Sequence, residues 1–229
     1  YLENKFFLLA ITFGIYFFAK LLQKKTGIVL LNPILLAIAA IIVFLKTFNI
    51  SYDTYNEGGQ LIEFWLKPAV VALGVHLYLQ LETIKKQLMP IILSQLAGCV
   101  VGVVSVGVIA KLMGASQAVI LSLAPKSVTT PIAMEVTKTI EGIPSLTAAV
   151  VVCVGLLGAI LGFKTLKLLR VNSPIAQGLS MGTAAHAVGT STAMDVSGKY
   201  GAYASLGLTL NGIFTALLTP TILRLLGFL

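Results

Sequence analysis

The chain alternates long apolar stretches with short polar ones. Six apolar stretches, each about 17–25 residues long, lie at residues 6–22, 28–45, 61–81, 89–113, 143–163 and 203–226. A helix of such a length crosses a hydrocarbon layer of about 30 Å. The strict alternation of apolar and polar residues that a membrane-spanning strand requires is absent from the sequence. The pattern therefore predicts an all-α polytopic membrane protein with about six full transmembrane helices.

Two polar segments interrupt this pattern and resemble each other. The first reads "PKSVTTPIAMEV" at residues 125–136, and the second reads "AHAVGTSTAMDV" at residues 185–196. They align without gaps at an offset of 60 residues, which aligns Glu135 with Asp195. Pro125 ends a regular helix in the first segment, and glycines loosen the second. The sequence predicts two broken helices that arose by duplication.

The basic residues indicate how the chain is oriented. Lys24, Lys86 and Lys167 follow the first, third and fifth apolar stretches, whereas the loop after the second stretch contains Asp53 and Glu57 and no basic residue. The positive-inside rule then places the three lysines in the cytoplasm and the acidic loop outside. This topology explains the net charge of +8. Nucleic-acid binding is not expected, because the lysines form no continuous stripe.

This orientation gives the segment at residues 116–138 an unusual path. The apolar stretch before it ends on the outer side and the stretch after it begins there, so the segment must enter the membrane and return. We predict a re-entrant hairpin there, and a second one at residues 174–198 that enters from the opposite face. Such an inverted repeat is the organisation of many secondary transporters. The alternative is that both segments cross fully and run parallel, and Arg224 near the end of the last stretch agrees with that alternative.

The two breaks would bring polar groups and free backbone into the membrane. Non-helical backbone at that depth must be buried in protein or line a water-filled cavity, and the N-termini of half-helices attract negative charge. We therefore predict a binding site for a small organic anion between the breaks. The candidate substrate-binding residues are Lys126, Ser127, Thr129, Thr130, His186, Gly189, Thr190 and Ser191. The alternatives are that Lys126 reaches a lipid headgroup and that His186 is a hydrogen-bonded packing residue.

Five other polar residues receive secondary assignments. Glu135 and Asp195 are candidates for proton or sodium coupling, although a carboxylate in a first helical turn also suits the helix dipole. Asn32, His76 and Asn211 are secondary candidates for the polar cavity. For the two asparagines, a hydrogen bond between packed helices is the alternative role.

Composition narrows the class of function. The 229 residues are 57% hydrophobic and 10% charged, whereas about 25% charged is usual for a soluble domain. The first apolar stretch has no small-residue cleavage site, so it is interpreted as a span and not as a signal peptide. Cys99 and Cys153 have no metal-ligand spacing, and no nucleophile elbow or phosphate-binding loop occurs. An enzyme, a bound metal and a cofactor are therefore not expected.

Five segments of the chain resemble one family of membrane proteins. In order they read "LLNPILLA", "ISYDTY", "LKPAVVALGVHLYLQL", "PKSVTTPIAMEV" and "MGTAAHAVGTSTAMDV". From residue 32 onward the chain resembles the LrgB/CidB family of bacterial membrane proteins. One departure is His76, where the family's pattern has a proline. The resemblance marks residues 126–131 and 183–190 as the functional motifs.

The resemblance implies two functions. Members of the family are described as holin-like or antiholin-like, modulating murein hydrolase activity and cell lysis with a small LrgA/CidA-type partner. Related proteins, including a plant plastid-envelope member with a fused LrgA-like half, carry glycolate and glycerate, and bacterial pairs are associated with pyruvate. With neither a fused half nor a transit peptide, the chain resembles the stand-alone subunit of a bacterial cytoplasmic membrane.

We expect a secondary transporter of small monocarboxylates of the glycolate, glycerate, lactate or pyruvate type. Polar groups within a membrane are costly unless they are used, and a pore-forming protein has no need of two matched polar breaks. An antiholin-like or holin-like regulator is the alternative. Residues 1–115 would be a scaffold and dimer region, and residues 116–229 would be the transport core. The expected partners are an organic anion, the lipid bilayer, a second copy of the chain and an LrgA/CidA-type subunit.

Overall fold

The computed structural model describes residues 4–27, 31, 33–79, 82, 85 and 87–229, without the side chains of residues 63, 66, 67, 69–77 and 79. The described residues form helices and contain no strand. The helices are α1 (Lys5–Thr26), α2 (Pro33–Thr47), α3 (Tyr52–Leu79), α4 (Leu88–Leu112), α5 (Gln117–Leu123), α6 (Thr130–Thr139), α7 (Pro144–Leu168), α8 (Pro174–Val196) and α9 (Gly198–Leu225). The predicted all-helical, polytopic class is confirmed.

Four of the six predicted spans correspond to long apolar helices in the described residues. Within the described residues, four helices are long and apolar enough to cross a membrane, namely α1, α4, α7 and α9. The second apolar stretch forms α2, which has only 15 residues. The third lies in α3, which has 28 residues but carries Pro68 inside and begins with a polar segment. Residues 28–30, 32, 80 and 81 of these two stretches lie outside the described residues, so their full crossing stays a prediction.

The chain divides by packing into two compact units, Tyr1–Leu73 and Gly74–Leu229. In the first unit, Asn4 caps α1 by accepting a hydrogen bond from the backbone N–H of Phe6 at 2.9 Å. Thr12 Oγ1 lies 2.9 Å from the hydroxyl of Tyr55, which links α1 to α3. The boundary differs from the functional division predicted at residues 115 and 116, and that division stays a prediction.

In the second unit, α5 and α6 form a hairpin that enters and returns on one side. Gln117, at the start of α5, donates through Nε2 to the carbonyl oxygen of Phe228 at 2.8 Å. The turn after α5 lies halfway along α9, because Asn211 Nδ2 donates to Ser127 O at 3.0 Å. The chain then comes back, since Ile140 after α6 belongs to the same buried cluster as Phe228. The first predicted re-entrant hairpin is therefore present.

The second hairpin is formed within α8. Its backbone leaves the helical conformation at Ala185 (φ −121°, ψ 15°) and His186 (φ 42°, ψ −133°). Beyond the break the chain folds back, because Ala193 from the second arm packs with Met181 from the first arm and with Ala204 of α9. Residues 187–196 thus return towards the side from which α8 began.

A hydrogen bond from the other half of the repeat holds the tip of each hairpin. Asn211 in α9 and Val151 in α7 are equivalent at the offset of 60 residues. Asn211 binds the tip of the first hairpin, and the Val151 carbonyl oxygen accepts a hydrogen bond from His186 Nε2, at the tip of the second, at 2.9 Å. Each tip is therefore held by the crossing helix of the other repeat. This arrangement is an inverted repeat.

Buried hydrogen bonds join the first hairpin to α7. Thr147 Oγ1 donates to Ser122 O at 2.8 Å and lies 2.8 Å from Thr137 Oγ1. The backbone N–H of Ile143 donates to Ser122 Oγ at 2.7 Å. The side chains of Ser122, Thr137 and Thr147 are fully buried, so their polar groups need such partners. Both arms of the hairpin are thereby fixed to the beginning of α7.

Candidate functional site

The break in the first hairpin presents a lysine. Thr129 precedes α6 in an extended conformation and Pro131 lies in the first turn, so the helix begins anew after the break. Lys126, in the turn between α5 and α6, donates through Nζ to Ser127 Oγ at 3.1 Å. The ion pairs of the described residues are Lys85 with Glu82 and Lys138 with Glu135. In this part of the chain no carboxylate balances the charge of Lys126.

The break in the second hairpin is centred on His186. Its positive φ belongs to the region that favours glycine, so the surrounding contacts must hold the residue there. The side chain is 4% exposed. In addition to its bond to Val151, it lies against Gly155, where an added Cβ would be 2.7 Å from His186 Cε1. Thr190 Oγ1 donates to the His186 carbonyl oxygen at 2.9 Å.

Asn211 connects the two breaks. Its Nδ2 donates to Ser127 O in the first hairpin at 3.0 Å and to Thr183 O in the first arm of α8 at 3.1 Å. The orientation of the amide follows from these bonds, because the opposite orientation would place Oδ1 against two carbonyl oxygens. One side chain at the middle of α9 therefore sets the distance between the two hairpins.

A cavity of about 770 Å³ lies between α4, the tip of the first hairpin, the first arm of α8, and α9. Exposed Gln87 and Ser173 are at its mouth, and Val103 and Thr215 are at its inner end. Its size falls within the range of ligand sites, about 300–1,000 Å³. The polar residues that line its middle are Ser94, Gln95, Lys126, Ser127, Thr183 and Asn211. Thr183 Oγ1 also donates to Gln95 Oε1, which joins α8 to α4.

The structure does not bring all predicted binding residues into this cavity. Lys126 and Ser127 line it, as does Asn211, whereas His186 faces α7. The physical reason is local, because the His186 imidazole bonds to the Val151 carbonyl oxygen and packs against Gly155 of α7. The other predicted residues lie outside the lining: Thr129, Thr130, Gly189, Thr190 and Ser191. Their substrate-binding role stays a prediction.

The two candidate coupling residues lie at the surface. Glu135 is exposed and accepts a hydrogen bond from Lys138 Nζ at 2.7 Å. Asp195 is exposed near the end of α8. Neither lines the cavity. Among the secondary candidates, Asn32 and the side chain of His76 lie outside the described residues.

Sequence reasoning missed several cavity residues. Gln95 is 3% exposed and Cys99 is also 3% exposed, with its Sγ 3.6 Å from Thr215 Oγ1. Thr183 was assigned only as part of a family motif. The available signal was Gln95, an amide inside an otherwise apolar stretch, because polar groups at such positions are costly unless they have a partner or a role.

Comparisons with known proteins agree on one family. The family model described as LrgB-like matches residues 12–225. The Antiholin-like protein LrgB of Bacillus mycoides (strain KBAB4) is 35% identical over 207 residues, which is 90% of each chain. The Antiholin-like protein LrgB of Bacillus cereus (strain B4264) has the same identity and coverage. No solved structure gives a significant match.

Proposed function

The chain belongs to the LrgB-like family, and we propose that it carries small organic anions of the monocarboxylate type across a membrane. The observation that carries the proposal is Lys126, a cation with no carboxylate partner in the described part of the chain, beside a cavity inside a helical bundle. A buried or half-buried charge is stabilised by an opposite charge. An anionic ligand would supply that charge.

The surroundings of Lys126 support a small ligand. Ser127 and Thr183 offer hydroxyl groups on two sides of the cavity, and Gln95 adds an amide. The turn between two short helices at mid-membrane is the arrangement in which many carriers hold substrates. A monocarboxylate with two or three carbons, such as glycolate, lactate or pyruvate, would occupy a fraction of the cavity and leave room for water. Proton or sodium coupling would be a further property of the carrier.

A second candidate function is regulation of murein hydrolase activity and cell lysis. The names of the relatives, "Antiholin-like protein LrgB", favour it more directly than they favour transport. Such a regulator would act through contacts with other membrane proteins, including an LrgA/CidA-type subunit. It would have no requirement for the cation in the cavity, and this difference separates the two candidates.

The test is uptake of radiolabelled glycolate, lactate and pyruvate into proteoliposomes. At about 4 Å and an effective dielectric constant of 20, two opposite charges attract by about 4 kcal/mol, whereas a tenfold change corresponds to about 1.4 kcal/mol. Lys126→Ala should therefore reduce uptake at least tenfold, and Lys126→Arg should retain part of it. Lys138→Ala is the matched control, because Lys138 is exposed and paired with Glu135.

Two results would contradict this proposal. A folded parent protein that takes up none of the three acids would refute transport and favour the regulator. Normal uptake by Lys126→Ala would refute the assignment of the site. Measuring autolysis of cells that express the same variants separates the functions, because a direct regulator would keep its effect on lysis when Lys126 is replaced.

Assembly and location are proposed on the basis of the family. A homodimer, an LrgA/CidA-type membrane subunit and a position in the bacterial cytoplasmic membrane are the expected setting. Crosslinking of the purified protein in native membranes would test the dimer, and co-purification with the tagged small subunit would test the second partner.

A further inference from the structure

A buried apolar layer lies between the cavity and the opposite end of the second unit. We call this layer the apolar plug, and its residues are Val103, Ala110, Ile120, Leu121, Ala124, Val136, Ile140, Ile222, Leu223 and Phe228. Val103 and Ala124 belong to the plug and also line the inner end of the cavity. The plug therefore begins where the cavity ends.

Phe228 occupies the far side of the plug. It is 6% exposed, and its ring lies against Gly107, where an added Cβ would be 3.0 Å from Cε2. Four residues separate Val103 from Gly107 along α4, which is about 6 Å. The ring thus lies about one helical turn beyond the inner end of the cavity.

The distance from the mouth of the cavity is much larger. Sixteen residues separate Gln87 at the mouth from Val103 at the inner end, which corresponds to about 24 Å. The cavity therefore extends through most of the bundle from one side. Along α4 the plug extends from Val103 to Ala110, seven residues or about 10 Å, and it lies between the cavity and the other side.

Two hydrogen bonds and a cation–π contact hold Phe228 in place. Gly227 turns the chain with φ 71°, and the Phe228 backbone N–H donates to Leu223 O at 2.9 Å. The carbonyl oxygen of Phe228 accepts from Gln117 Nε2 at 2.8 Å, and Lys111 Nζ lies 5.2 Å from the ring centroid. These contacts join α9 to α4 and to the start of the first hairpin.

We propose that Phe228 is a latch that seals the cavity at the end opposite its mouth. Withdrawal of the ring from Gly107 frees the start of the first hairpin and opens the plug. The cavity is then open at the end opposite its mouth. The inference rests on the proposed function in one respect, because a carrier must expose its binding site to each face in turn.

The experiment uses Cys99, which lines the cavity, as the reporter. The chain has two cysteines, so Cys153→Ala leaves Cys99 alone. Sealed vesicles of each orientation are treated with the membrane-impermeant reagent 2-sulfonatoethyl methanethiosulfonate. In this parent the reagent should reach Cys99 from the side of Gln87 only. Phe228→Ala should raise the rate of labelling from the other side at least tenfold.

Two variants make the result specific. Phe163→Ala removes the same side chain from a different cluster, near Tyr200, and should leave far-side labelling at the level of the parent. Phe228→Leu keeps an apolar side chain in the plug and should restore most of the seal. Helical circular dichroism confirms that each variant is folded.

Three outcomes decide the matter. Unchanged far-side labelling in a folded Phe228→Ala variant would overturn the proposal, and so would an equal increase in Phe163→Ala. An increase confined to Phe228→Ala supports it. Failure of the parent to transport any organic anion would refute the proposed function without affecting this labelling result, so the two failures are distinguishable.

Discussion

Replacing Asn211 by leucine should weaken the packing of the two hairpins. The substitution removes the two hydrogen bonds that Nδ2 donates, to Ser127 O at 3.0 Å and to Thr183 O at 3.1 Å. Leucine has a similar size but no donor. Two carbonyl oxygens at the centre of the bundle would then lose their donor.

The magnitude follows from the cost of unsatisfied polar groups. Each buried carbonyl that loses its donor costs about 1–3 kcal/mol, so the two cost about 2–6 kcal/mol. Part of this is recovered, because Oδ1 of Asn211 is itself buried without a partner among the described residues. We expect a net loss of about 2–4 kcal/mol in the free energy of unfolding.

Reversible unfolding in mixed SDS micelles, followed by helical circular dichroism, measures this difference. The matched control is Thr219→Val in the same helix. Thr219 Oγ1 is buried and has no hydrogen-bond partner in the described part of the chain, so its removal should be neutral or should stabilise by up to about 1 kcal/mol. A cost below about 1 kcal/mol for Asn211→Leu, or an equal cost for Thr219→Val, would refute the reasoning.

Two further predictions concern packing and topology. Gly182→Ala should destabilise the second unit by about 3 kcal/mol in the same unfolding assay, because its Cβ would overlap the carbonyl oxygen of Ala204. Gly14→Ala should be tolerated, since no atom lies within 4 Å of its added Cβ. Single cysteines at exposed Ser116 and Ser145, in a chain without its native cysteines, should react with an impermeant reagent from the same face. Labelling from opposite faces would mean that the first hairpin crosses.

The class of fold and the position of the breaks were predictable from local sequence. Pro125 and Pro131 determine where the first hairpin turns. Because the two motifs align without gaps, the alignment predicts a second break at His186. Predicting that the first segment enters and returns on one side also required the distribution of lysines along the chain. These features depend on residues close together in the chain, and short-range rules describe them well.

The composition of the cavity was predictable only in part. Lys126 and Ser127 lie in the broken segment itself, so the motif marks them directly. Gln95 lies in α4, 31 residues before Lys126, and its place beside the cavity depends on how two distant helices pack. His186 was expected to share the site because it aligns with Lys126. Alignment does not give the direction in which a side chain points, and His186 points to the Val151 carbonyl oxygen of α7.

The bond from Asn211 to Ser127 also affects how the protein is made. These residues are 84 positions apart, so translation at roughly 5–20 residues per second separates their synthesis by roughly 4–17 s. During that interval the tip of the first hairpin lacks the donor that later holds it at mid-membrane. The hairpin should therefore reach its final depth only after α9 has left the ribosome, and a chaperone or the insertion machinery would have to shield it until then.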